Sequence, residues 1–206
     1  MRRLRIALLA GLFEAALVLS AQAADPRYPD WPCEQPKVPE LSAAAMWDGP
    51  SIADVGDTWR NDEKIRDLVA LVAARRTPID EAQKAVAAFL AEKPAERGQR
   101  AKELFAGVFQ TLNGERGEVM DGLERTARKE MDLGGKIKSD VEALRTLQDQ
   151  PNADQAKIKA LADEIEWSTR IFEDRRKSIR YVCEVPATIE QRVFALARAI
   201  QQAGAN

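Results

Sequence analysis

The chain has 206 residues, of which 31 are basic and 33 acidic, with a formal net charge of −2, two cysteines and no histidine. Without histidine the commonest metal ligand and the commonest general base near neutral pH are missing, which removes the usual parts of zinc hydrolases, haem proteins and serine or cysteine triads. The charge is interleaved and lacks the concentrated basic face that nucleic-acid binding requires, and the two cysteines, 33 and 183, have no Cys-x-x-Cys spacing for redox or iron–sulfur chemistry.

Residues 1–23 read as an export leader. Arg2, Arg3 and Arg5 precede an apolar run from Ile6 to Leu19, and Ala21 and Ala23 supply the small residues of a cleavage site. Glu14 interrupts the run at a cost of roughly 2.5 to 3.5 kcal/mol on insertion scales, and the run barely reaches the roughly 20 residues a membrane span needs. Cleavage after Ala23 is therefore expected, with no stable transmembrane segment afterwards and no leader cysteine for lipid attachment. Loss of those three arginines and Glu14 would reduce 31 basic and 33 acidic residues to 28 and 32, a net charge of −4. The expected location is periplasmic or secreted, an oxidising compartment in which Cys33 and Cys183 should form a disulfide.

Residues 24–58 form a Pro/Trp-rich extended arm. Pro26, Pro29, Pro32, Pro36 and Pro39 recur too closely for a helix and favour an extended, polyproline-like path. Tyr28 and Trp31 precede Cys33, so the arm is expected to lie as a strap on the helical body with its aromatic rings buried beside the disulfide. The alternative is a partner-binding arm, for which Tyr28, Trp31 and Trp47 are the candidate contact residues. A short helical turn is expected over Leu41 to Trp47 behind Ser42, stopped by Asp48-Gly49-Pro50.

The helical domain spans 59–206. Ile65, Leu68, Val69 and Val72 share one face of a first helix, which Thr77-Pro78 ends. Thr77 is the expected N-cap of a second helix with Pro78 at its first position, and Ile79, Ala82, Val86, Phe89 and Leu90 are its expected buried face. Pro94 closes it, and the two helices read as an αα-hairpin.

A longer pattern follows, to about Gln148. Steps of four and three connect Phe105, Phe109, Leu112, Arg116, Val119 and Leu123, then Thr126, Glu130, Leu133, Ile137, Asp140, Leu144 and Leu147. After Pro151-Asn152, and with Asp154 as a helix start, a second seam connects Ile158, Leu161, Ile165, Ser168, Phe172, Arg175, Ile179 and Val182. Two seams about a tight turn predict an all-α fold built on an antiparallel, coiled-coil-like hairpin over about 95–182. Residues equidistant from the tip put Phe172 near Glu130, and make Glu130 and Arg175 a candidate charge pair that sets register. Gly114, Gly117 and the pair Gly134-Gly135 are the expected kink points, since each glycine costs about 1 kcal/mol in a helix interior. A last helix over about Pro186 to Gln202, with Ile189, Val193, Leu196, Ala197 and Ile200 inward, is expected to fold back onto the two early helices and to stop at Gly204.

No catalytic, cofactor or metal motif stands out. Acid pairs such as Glu115 with Glu118 and Asp163 with Glu166 lack the histidines of a four-helix carboxylate site, and no strand precedes the glycines that might cradle a phosphate. The function expected is an exported, non-catalytic interaction or adaptor protein that binds a protein partner in the cell envelope through its hairpin or arm, without cofactor or nucleic acid and with self-association open. A holdase-type chaperone is the alternative. A second is an all-α exported enzyme of the chorismate mutase type; Arg75, Arg76, Gln83 and Lys84 supply suitable side chains without that family's spacing.

Overall fold

The computed structural model describes residues 25–205; the expected leader at 1–23 lies outside them. The described chain is mostly helical with no strand. Its α-helices are α1 (Ala43–Met46), α2 (Glu63–Ala73), α3 (Ile79–Ala91), α4 (Arg97–Gln148), α5 (Gln155–Val182) and α6 (Val185–Ala205), with single 3-10 turns at Thr58–Asn61 and Pro94–Glu96.

Side-chain caps set two of the helix starts. Asp62 accepts from the backbone N–H groups of Lys64 and Ile65 to begin α2, and Asp154 accepts from those of Ala156 and Lys157 to begin α5. Each satisfies donors that the first turn leaves without a partner. At α3 the expected cap is displaced by one residue. Pro78 occupies the cap position, its carbonyl accepting from Ala82, and the Thr77 side chain makes no cap bond. Ile79 then stands at the first helical position and is 38% exposed, so it is not part of the buried face.

The core surrounds the first third of α4. Leu104, Phe105, Ala106 and Val108 are fully buried, enclosed by Ile65, Val69 and Val72 of α2, Val86 and Leu90 of α3, and Val193, Leu196 and Ile200 of α6. Trp59, just before α2, donates from Nε1 to Gln110 Oε1 at 2.8 Å and lies against Gly107. A Cβ on Gly107 would come within 2.7 Å of Val69 and 2.8 Å of the Trp59 ring, so glycine here is the condition for close approach.

α4 is one unbroken helix of 52 residues, roughly 78 Å long at 1.5 Å per residue. The helix runs unbroken through the expected kink points at Gly114, Gly117 and Gly134-Gly135. Beyond Leu112 its buried positions are Arg116, Met120, Leu123, Ala127 and Glu130. The inward face is therefore rotated slightly from the seam read off the sequence, with Met120 and Ala127 in place of Val119 and Thr126.

α5 and α6 both run against α4 in the opposite sense. Lys136 pairs with Glu164, Phe172 lies over Gly134, Arg175 reaches Glu130, Arg116 reaches Glu190, and Gly204 meets Ala101. Between the Gly134 and Ala101 contacts the α4 number falls by 33 while its partner's rises by 32, so the two-residue turn at Cys183-Glu184 barely disturbs the register. α6 thus continues along α4 in the sense of α5 and also packs on α3, rather than simply folding back. It extends past Gly204, where a Cβ would stand 2.9 Å from that of Ala101. The α2–α3 turn is fastened to it by Arg192, whose guanidinium donates to Val72 O at 2.6 and 2.8 Å and to Thr77 O at 2.9 Å.

Candidate functional site

The arm crosses α4 in the opposite direction to the helix. Asp30 pairs with Arg128 at 2.9 Å and Lys37 with Glu124 at 2.5 Å. Pro39 O accepts from Arg116 Nη1 and the Leu41 N–H donates to Asn113 Oδ1, each at 3.3 Å. The Cys33–Cys183 disulfide, with Cα atoms 5.5 Å apart, joins the arm to the turn between α5 and α6. Arg116 is buried, and its Nε donates to Glu190 at 2.7 Å, so one guanidinium ties arm, α4 and α6 together.

Where these elements converge, a groove of about 860 Å³ opens between arm residues 29–35, α4 residues 127–134, α5 residues 172–180 and the Cys183-Glu184 turn. Trp31 forms part of the arm wall, Met131 part of the α4 wall, and Phe172 and Ile179 part of the α5 wall. Trp31 is held in place by its Nε1, which donates to Gln35 O at 2.7 Å. The groove lies where α5 stops matching α4. From Ile158 to Phe172 the seam residues of α5 are buried or half-buried, whereas Arg175 and Val182 are exposed.

The residues singled out from the sequence fall in four places. Trp31, Cys33, Cys183 and Glu130 line the groove. Tyr28 stands next to it, half-buried, with Lys37 Nζ 4.8 Å from the centre of its ring. Trp47, a candidate contact residue only if the arm binds a partner, is a core residue: it is 7% exposed, stacks on Phe105 with ring centres 4.5 Å apart, and donates from Nε1 to Pro50 O. Stacking of two large rings recovers more apolar surface than exposure would allow. Arg75, Arg76, Gln83 and Lys84 are all exposed, and none lines the groove.

Glu130 is 5% exposed, and its Oε1 accepts from Arg175 Nη1 at 3.2 Å. Its Oε2 is buried without a hydrogen-bond partner. Arg100 Nη1 shares that condition, but its guanidinium lies 3.8 Å above the Phe89 ring, which compensates the cation. Phe172 sits one turn closer to the hairpin tip than the sequence estimate, over Gly134 rather than beside Glu130. Met131, Arg176 and Arg180 were not singled out from the sequence. They lie off the heptad seam, and only the route of the arm makes them walls of a groove.

Among the described residues no group of three or more His, Cys, Asp or Glu is placed to hold a metal ion. Among the same residues no helix is long and apolar enough to cross a membrane. Comparison of the chain with protein-family models, with curated proteins and with solved structures finds no match in any of the three.

Proposed function

We propose that this chain is an exported, non-catalytic interaction protein that binds a partner in the cell envelope through the α4–α5 hairpin and the adjoining arm. One observation carries the reading. Beyond Glu130, α4 has no buried residue, and Ser168 is the single buried residue of α5. Two helices of that length with so little enclosed surface add little to the core of their own chain. Met131 and Trp167 on this segment, and Tyr181 at its root, are 55%, 61% and 75% exposed. Large exposed side chains on a projection are what a partner would cover.

The leader-like residues 1–23 and the disulfide support a periplasmic or secreted setting. The coiled-coil character of the hairpin belongs to the same proposal, with Glu130 and Arg175 serving as a register pair. Capture of partners from an envelope extract by the tagged mature protein tests the reading. One stoichiometric partner is the expected result. A broad set of unfolded membrane-protein clients would replace it with a holdase, self-association alone would contradict it, and chorismate turnover by the purified protein would make the chain an enzyme.

A further inference from the structure

The geometry points to the groove at the root of the hairpin as a receptor for a basic side chain, a lysine or arginine carried next to apolar residues on a segment of the partner protein. This inference rests on the interaction reading above and names the place and the chemistry of the contact.

The groove has an acidic balance. Five acidic and three basic residues line it, and counting Arg175 as a fourth base leaves the acids in excess. Asp30 is paired with Arg128, and Lys177 with Asp174. Glu34, Glu173 and Glu184 make no ion pair among the described residues, nor do Arg176 and Arg180, so the unpaired acids outnumber the unpaired bases by one.

Glu130 adds an observation of a different kind. A buried carboxylate oxygen without a donor is costly, because it has given up water and received nothing in exchange. Arg175 satisfies one oxygen only and is itself 53% exposed, so it leaves Oε2 unserved. An ammonium or guanidinium entering from the groove supplies the missing donor and a countercharge together, the stronger form of hydrogen bond.

The aromatic walls favour the same guest. Arg176 already lies 5.6 Å from the centre of the Phe172 ring, and Lys37 Nζ lies 5.9 Å from that of Trp31. Both rings thus stand where cations are attracted, and a guest cation would share them with Arg176 and Lys37. Met131 and Ile179 offer apolar contact for the methylene stem and for neighbouring apolar residues, as long basic side chains require.

The test measures binding of a labelled, end-capped leucine–lysine peptide to the purified, disulfide-bonded protein by fluorescence anisotropy. Two control peptides replace lysine with norleucine or with glutamate. The lysine peptide should bind at least about tenfold more tightly than the norleucine peptide, in line with a charge-assisted bond. Glu130→Gln keeps the shape and removes the charge, and should erase most of that difference. Met131→Lys alters an exposed wall residue without touching the core, and should also weaken binding of the lysine peptide. It decides the matter should Glu130→Gln fail to fold. Equal binding of the lysine and norleucine peptides, preference for the glutamate peptide, or full binding by the folded variants would overturn the assignment. A partner captured equally well by both variants would remove the groove from the account and leave the interaction reading standing. Tight lysine-dependent binding with no partner captured would do the reverse.

Discussion

At Gly107 a single hydrogen in place of a side chain lets α4 touch Trp59 and Val69, and a methyl group there would sit well inside contact distance of both. Gly107→Ala should therefore lower stability: overpacking costs about 1 to 3 kcal/mol, which outweighs a helix-propensity gain of about 1 kcal/mol. At Gly114, where an added Cβ has nothing within 4 Å, the same substitution should raise stability by up to about 1 kcal/mol. Urea midpoints of the two variants measure the contrast, and equal shifts of the same sign would mean that the close approach is not what glycine provides. Asp54 illustrates a second residue-scale effect. Its hydrogen bond from Lys102 holds its carboxyl below the usual range. A lowered folded-state value means that the contribution is present above the unfolded value, roughly pH 4, and is lost as pH falls through the folded value. The gap in urea midpoint between the native protein and Asp54→Asn should be small near pH 7 and should close below about pH 4. A gap that widens in acid would reverse the sign of the linkage.

Among the elements, α4 belongs to two environments. Its segment from Arg100 to Leu112 is enclosed by α2, α3 and α6, whereas among the described residues its segment beyond Gly134 has only α5 beside it. Local opening follows buried contact, so backbone amides of residues 134–147 and 158–170 should exchange with solvent faster than those of 101–112. Hydrogen exchange resolved along the chain measures this, and uniform protection across α4 would contradict the division. Much of this element structure was legible in the sequence. The 3.6-residue periodicity marks α2, α3 and α6 by side chains that are indeed buried, such as Leu68, Val86 and Leu196. Asp154 signals the start of α5 through ordinary capping chemistry. Less legible were contacts with no local signature. Lys37 and Glu124 are 87 residues apart, and nothing in either neighbourhood marks the pairing. Arg192, serving carbonyls at the end of α2 and the start of α3, was equally hidden among the polar positions of α6.

For the molecule as a whole, the disulfide fastens the arm at the turn where α5 gives way to α6, and so fixes one wall of the groove. The pairing itself could be anticipated, because an apparent leader and a lone cysteine pair leave one intramolecular bond to make. The groove could not, because its walls come from three segments that converge only through the route of the arm. A sequence separation of 150 gives the bond a chain-entropy contribution of about 5 kcal/mol. Replacing both cysteines by serine should lower the urea midpoint substantially and should release the arm to early proteolysis between Asp25 and Lys37. A double variant as stable and protease-resistant as the native protein would show that the ion pairs alone hold the strap.

In the proposed function the hairpin and its root, rather than the helical body, meet a partner. A photo-reactive residue can replace Met131 at the groove, and another can replace Leu71 on the body, since the two side chains are 55% and 50% exposed. Irradiation of cells exporting each form compares the two faces under identical conditions. One discrete cross-linked product is expected from position 131 and none from position 71. A product from position 71 alone, or the same mixture from both, would contradict the proposed function.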